Sequence, residues 1–317
     1  MRWVMMIVCV VSFTSPCSAW WESGHHLISL LAYEQLSDEE QETFRTVLAA
    51  HPRFAVDFVL PANVNGEFEA MEWRIGRAGY WPDVARSQPA FDRPSWHYQL
   101  GATLVVGTVE NVPPNPGPLP EGATLDSANL HLAQAVALSR NVLHDKTQPA
   151  ADRAVALCWL IHLAGDAHQP CHAGSLYRPV VFPNGDRGAN WIPTKQVGNL
   201  HALWDSLLGQ QFDAGDIRRR VREIQIDQPL VESAQIATND PDGLDPLRWL
   251  KESAEFGRSH VYTEEVLAAV EAAVTREGHR LEMIDLPEQY LKAAGRVARQ
   301  RAAFAGFRLA AMLKKDL

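Results

Sequence analysis

The chain has 317 residues, 46% of them hydrophobic and 21% charged, a length compatible with one large domain. Its 29 Lys and Arg against 38 Asp and Glu give a formal charge of −9. That balance argues against an extended basic groove for nucleic acid and leaves a phosphate to be held only by local cations.

Residues 1–19 carry one charge, Arg2, then an apolar run from Trp3 to Val11, then Thr14-Ser15-Pro16-Cys17-Ser18-Ala19. Small residues stand third and first before a cut after Ala19, the pattern of a secretory signal peptide. The run is too short and interrupted for a membrane span. A core helix or a lipid anchor on Cys17 are the competing readings, and Ser15-Pro16 fits a lipobox poorly. Cleavage would leave 28 basic and 38 acidic residues, a charge of −10, with Trp20 as the first residue. It would also reduce four cysteines to Cys158 and Cys171, too few for a disulfide framework, although a single bridge stays open. Such a chain is secreted or periplasmic.

The rest reads as all-α, one helical domain over residues 20–317. Gly24 to Leu36 is predicted helical with Ser23 as its cap. Ser37-Asp38-Glu39-Glu40 is a capping box, opening a helix with Phe44, Val47 and Leu48 on one face. Thr103 to Val109 is the best strand signal. Val112 to Pro120 holds five prolines and predicts a surface loop. Leu125 to Leu143 and Ala151 to Asp166 carry helical periodicity. Residues 173–197 mix Gly, Pro and Asn and predict a second long loop. Leu286 to Leu313 predicts a long C-terminal helix, broken near Gly295 or Gly306. No internal repeat or linker divides the chain.

The segment Ile161-His162-Leu163-Ala164-Gly165-Asp166-Ala167-His168-Gln169-Pro170-Cys171-His172 is the most specific. Residues i and i+4 share a helix face, so His162 and Asp166 point the same way. Pro170 ends the helix, and the turn brings His172 back toward that face. His201 and Asp205 repeat the spacing. Imidazoles mixed with carboxylates suit Zn²⁺. One isolated His-x3-Asp would be read as polar helix surface; two copies are not read that way. Trp20, once exposed, adds a terminal amine and its own carbonyl oxygen, a natural chelate, with His25 five residues on. Together these sets predict a secreted hydrolase with several zinc ions.

The chain resembles the trinuclear-zinc, single-strand-specific nucleases of the S1/P1 type, within the zinc phospholipase C and nuclease superfamily. The resemblance starts at Trp20-x4-His25 and continues through Trp81-Pro82-Asp83-Val84-Ala85-Arg86 and Trp96-His97-Tyr98. The His162 to His172 block and Asn199-Leu200-His201-Ala202-Leu203-Trp204-Asp205 carry it most strongly. Weaker echoes are Trp249-x2-Glu252-Ser253, Val261-Tyr262 and Ala305-Gly306-Phe307-Arg308-Leu309-Ala310.

The resemblance implies a mainly α fold with long loops around a zinc cleft, and three zinc ions. Asp83, His97, His162 and Asp166 would hold the first. Trp20, His25 and Asp166 would hold the second, so that Asp166 bridges. His172, His201 and Asp205 would hold the third. It further implies a metal-bridged hydroxide as nucleophile, Arg86 on the phosphate in the transition state, and Tyr98 stacking a base. Asp83, Arg86 and Asp166 thus form the implied catalytic group. The implied substrates are single-stranded DNA and RNA and 3′-nucleotides, with 5′-phosphorylated products and no protein partner. Leu100, Ala189 and Cys171 depart from the usual aspartate, glycine and leucine, which touches base preference more than chemistry. The 112–120 loop follows His97 closely enough to shape the cleft. A zinc phospholipase C and a non-catalytic zinc protein are the alternatives. The first fits less well, because its last ligand is a glutamate where this chain has Asp205.

Other residues read more plainly. His26 and His168 adjoin ligands but point elsewhere, with His168 orienting the turn by a hydrogen bond. His51, His131, His144, His260 and His279 read as surface or ordinary core, Trp159 and Trp204 as core, and Cys158 as a small buried residue.

Overall fold

A computed structural model describes residues 20–317; the leader, with its expected signal peptide and cut, lies outside them. The described residues form twelve α-helices. In chain order they are α1 (Glu22–Tyr33), α2 (Asp38–Ala49), α3 (Phe54–Asp57), α4 (Glu67–Val84), α5 (Leu132–His144) and α6 (Ala150–Ala167). Then come α7 (Leu200–Ser206), α8 (Ala214–Gln225), α9 (Gln228–Asn239), α10 (Pro246–Phe256), α11 (Glu264–Val274) and α12 (Glu288–Asp316). The one sheet among these residues pairs β1 (Ala102–Val105) in parallel with β2 (Ser175–Tyr177). The fold is therefore mainly α, as the periodicity predicts. No helix among the described residues is long and apolar enough to cross a membrane.

Helix α6 is the axis of the molecule. Every residue from Ala154 to Ala167 is buried, the signature of a helix surrounded on all sides. Helices α1, α2, α4, α5 and α12 pack around it. Their closeness depends on glycine. A Cβ on Gly79 of α4 would lie 2.1 Å from Ser29 Oγ and 2.9 Å from Ile161 Cγ2, so the side chains of α1 and α6 pack directly onto the α4 backbone there. A second apolar cluster gathers around Trp204 from α7, the 173–199 segment, α11 and the first half of α12. The Trp204 indole N–H donates to Tyr290 Oη at 2.9 Å, tying α7 to α12.

Several boundaries differ from the sequence reading, for identifiable reasons. Helix α1 begins at Glu22 with Trp21 at its cap; the Ser23 hydroxyl donates to the Gln211 carbonyl instead. The Ser37 capping box is present as predicted. Residues 125–131 are not helical. Their carbonyls serve the 93–96 segment: Arg93 Nε donates to Leu125 O at 2.9 Å, Trp96 Nε1 to Ser127 O at 2.9 Å, and Ser95 Oγ lies 2.7 Å from Leu130 O. The strand is shorter than expected, and its partner lies inside the 173–197 loop. Helix α12 runs unbroken through Gly295 and Gly306. At Gly306 a Cβ would stand 2.7 Å from the Leu31 side chain, so glycine serves the α1 contact and not a break. Cys158 and Cys171 are separate, buried thiols. The proline-rich loop is held to the start of α5, where Gln134 Nε2 donates to Gly117 O and Pro118 O at 3.1 Å each.

Gly79→Ala is expected to destabilise the protein by about 1–3 kcal/mol through overpacking. Urea unfolding measures this, and an unchanged midpoint would show that the three-helix crossing has slack.

Candidate metal centre

Helix α6 supplies His162 and Asp166, one turn apart and both fully buried. Helix α1 brings His25, α4 brings Asp83, and the single turn Pro94–His97 brings His97. The turn Pro170–His172 supplies His172, and α7 supplies His201 and Asp205. Their side chains form three buried groups: His25, His162 and Asp166; Asp83, His97 and His162; His172, His201 and Asp205.

The first two groups share α6. His97 Nδ1 lies 3.1 Å from Asp166 Oδ2 and 2.8 Å from His162 Nε2. His162 Nε2 is 3.3 Å from Asp166 Oδ2. Asp83 Oδ1 stands 3.9 Å from His97 Nδ1 and 4.0 Å from His162 Nε2. Donors around a tetrahedral zinc with bonds of 2.0–2.1 Å are about 3.3 Å apart. The four donor atoms thus have the spacing of one coordination sphere. On the other side of the same carboxylate, Asp166 Oδ1 is 3.5 Å from His25 Nε2. The His25 ring stacks on His162, with centroids 4.1 Å apart.

The third group makes the case for a cation most directly. His172 Nδ1 bonds to the His97 carbonyl, and His201 Nδ1 bonds to the Gly188 carbonyl at 2.6 Å. Each neutral ring therefore carries its proton on Nδ1. Their Nε2 atoms face each other at 3.1 Å, with Asp205 Oδ2 3.4 Å from His201 Nε2. Two lone pairs and a carboxylate converging in a dry interior repel unless a cation joins them. His162 follows the same rule, its Nδ1 bonded to the Gly79 carbonyl at 2.7 Å. Backbone carbonyls that fix the far nitrogen are the usual outer support of metal-binding imidazoles. In addition, His25 Nε2 and Asp166 Oδ1 are buried without a hydrogen-bond partner, as donors reserved for a metal would be. His97 faces the group with Nδ1, as its distances to Asp166 and His162 show, and its Nε2 is buried without a partner. The residues present fit bound dications.

Burial lowers His25, His97 and His172 well below the ordinary imidazole range, and the nearby histidines and Arg86 add to it. Burial alone would lower His162 too, but Asp166 and Asp83 raise it. Burial pushes the Asp166 carboxyl up to about 6, against the pull of His162.

The remaining expected residues are placed as follows. Trp20 is fully buried, and its indole N–H donates to Gly165 O at 3.1 Å, one residue before Asp166. The next amide, Trp21 N–H, donates to Asp205 O at 3.1 Å. Residue 20 is thus wedged between α6 and α7. Arg86 Nε donates to Asp83 Oδ1 at 2.8 Å, with the arginine 17% exposed at the edge of the group. Tyr98 is 39% exposed beside His97, its ring edge-on to His131. His26 faces Phe212 and lies outside all three groups. His168 Nδ1 donates to Ala164 O at 2.7 Å, the expected turn-orienting bond. Trp159, Trp204 and Cys158 are core.

Two supports were not visible in the sequence. Gln169 Nε2 donates to Asp205 Oδ1 at 2.6 Å and aims that carboxylate. Its position inside the motif was the available signal. Buried Asp186 accepts from Leu176 N–H and the Tyr262 hydroxyl, both at 2.9 Å. It anchors a left-handed turn in which Arg187, Gly188 and Ala189 all have positive φ. A Cβ on Gly188 would lie 2.2 Å from the Cys171 carbonyl oxygen, so only glycine can present its carbonyl to His201 there.

Three buried His/Asp groups within a helical core form a site that could hold metal ions. The chain belongs to the S1/P1 nuclease family, whose model matches residues 20–317. Two curated relatives agree. Endonuclease 2 of Arabidopsis thaliana is 24% identical over 323 residues, covering 98% of this chain and 96% of the relative. Endonuclease 3 of the same plant is 23% identical over 260 residues, covering 74% of each. The protein is a nuclease, a hydrolase of phosphodiester bonds in nucleic acid.

One expectation follows for the metal-free protein. The unfolded imidazole titrates at about 6.5, and burial lowers His172 in the fold. His172 should stay neutral as pH falls through and below that value, with the proton taken up only by the unfolded chain. An NMR titration that placed its midpoint at or above 6.5 would contradict the burial argument.

Proposed function

We propose that the three groups hold three zinc ions, and that the chain is a secreted or periplasmic endonuclease and 3′-nucleotidase. It would act on single-stranded DNA and RNA and leave 5′-phosphorylated products. The observation that carries this reading is the sharing of Asp166, with one oxygen toward His97 and His162 and the other toward His25. In this assignment Asp83, His97, His162 and Asp166 ligate one ion. His25, Asp166 and the amine and carbonyl oxygen of Trp20 ligate the second. His172, His201 and Asp205 ligate the third. Bound there, zinc supplies Lewis acidity and lowers the pKa of water to near 7.

The chain's own residues do the rest. Arg86 is fixed by Asp83, and its guanidinium binds phosphate oxygens at the solvent edge of the site. The exposed ring of Tyr98 stacks an unpaired base. A base inside a duplex is already stacked and cannot lie on that ring, which favours single strands. Trp20 takes up its role only after processing at Ala19, since an amide nitrogen is not a basic ligand. That the family match begins at residue 20 supports the same boundary.

The test compares zinc-loaded protein beginning at Trp20 with a form retaining one extra Met. Both are given single-stranded DNA, RNA, 3′-AMP and a phosphatidylcholine analogue. The expected result is 5′-phosphorylated fragments and phosphate release from 3′-AMP, with activity reduced at least about 10-fold in the extended form, as for loss of a ligand or its support. Release of phosphocholine alone would favour the zinc phospholipase C reading, and inactivity on every substrate a non-catalytic one. Full activity of the extended form would remove the terminal amine from the ligand set.

A further inference from the structure

Helix α12 carries two fully buried arginines, Arg301 and Arg308. Both reach Glu252 of α10. Arg308 Nη1 and Nη2 donate to its two oxygens at 2.7 Å each, and Arg301 Nη1 donates to Oε2 at 2.7 Å. Burial would raise the Glu252 carboxyl, but the two guanidiniums hold it down at about 2. Arg248 also meets Glu252 and pairs with Asp240, so three arginines share two carboxylates and a surplus of one positive charge is left.

That surplus faces the C-terminal end of α6. Arg301 Nε donates to His168 O at 3.2 Å, and Arg308 Nη1 lies 2.9 Å from His168 Nε2. Arginine only donates, so His168 Nε2 accepts and its Nδ1–H goes to Ala164 O. Ser253 Oγ accepts from Arg301 Nη2 at 2.9 Å and donates to Ala167 O at 2.6 Å. The last carbonyls of a helix lack partners within it and carry the negative end of its dipole. Here α10 satisfies Ala167 O through Ser253, and α12 satisfies His168 O through Arg301.

The place so held lies between two functional residues. Asp166 precedes it, and Gln169, which aims Asp205, follows it. A shift at Ala167 and His168 would move all three metal groups. Apolar side chains of similar size often replace such an ion network without loss of stability, so its effect on the site can be tested apart from the fold.

We infer that Glu252, Ser253, Arg301, Arg308 and His168 are positioning residues, a buried charged clamp through which α10 and α12 set the Asp166–Gln169 segment and thereby its affinity for metal. The inference rests on the reading that the groups bind zinc.

The test is chelator competition for zinc on the zinc-loaded mature protein, with thermal unfolding in excess chelator as the measure of the fold. Three variants are compared: Ser253→Ala, the triple Glu252→Met, Arg301→Met, Arg308→Met, and the core variant Val270→Ala of α11, a helix that carries no residue of the three groups. The triple variant is expected to stay folded and bind zinc about 10- to 100-fold more weakly. Ser253→Ala loses both of its hydrogen bonds, to Arg301 and to Ala167 O, and should bind about 2- to 10-fold more weakly. Val270→Ala should lower the unfolding midpoint and leave zinc affinity unchanged. Wild-type affinity in a folded triple variant would overturn the clamp, as would zinc loss in Val270→Ala that tracked its instability. If the triple variant does not fold, unchanged affinity in Ser253→Ala overturns it. A wild-type protein that bound no zinc would instead overturn the proposed function, and the clamp with it.

Discussion

The structure depends on the burial of polar donors in an apolar helix. Helix α6 is enclosed from Ala154 to Ala167, yet it carries His162 and Asp166 at full burial. An imidazole lone pair and a carboxylate in that setting cost several kcal/mol each unless partnered. The surrounding elements answer this in two ways. Backbone carbonyls from Gly79, His97 and Gly188 take the Nδ1 protons of His162, His172 and His201. The opposite nitrogens then converge with carboxylates, a charge and geometry that dications complete. The close helix crossing at Gly79 and the left-handed turn at Gly188 follow from that need, since each brings a carbonyl to a ring.

The two ends of the described chain meet at the same place. Residue 20 lies against Gly165 and the Trp21 amide reaches the Asp205 carbonyl, while α12 reaches the end of α6 through Arg301 and Arg308. The residues of the three groups run from His25 to Asp205, and contacts to the end of α6 come from as far along the chain as Arg308. In the proposed assignment the first residue is itself a ligand, so leader removal and metal loading become linked events. The chain's acidity is compatible with a phosphate substrate on this view, because the positive charge is concentrated at the ions and at Arg86.

Much of this was legible in the sequence because helical spacing converts directly into shared faces. His162 with Asp166 and His201 with Asp205 could be placed one turn apart before any coordinates. Joining them to Asp83 and His97 required the family resemblance, since nothing local links these positions. What stayed hidden depends on tertiary approach. Periodicity cannot reveal that the carbonyls of residues 125–130 are taken by Arg93, Ser95 and Trp96, which stops α5 from starting earlier. Nor can it separate a glycine that breaks a helix from Gly306, which admits Leu31. The support from Gln169 and Asp186 was invisible for the same reason: each acts on a residue distant in sequence.

The most direct test is diffraction from the mature protein at the zinc absorption edge. Three anomalous peaks are predicted: one among Asp83, His97, His162 and Asp166, one between His25, Asp166 and Trp20, and one among His172, His201 and Asp205. No pair of neighbouring peaks across Asp166, or zinc bound only elsewhere, would contradict the account.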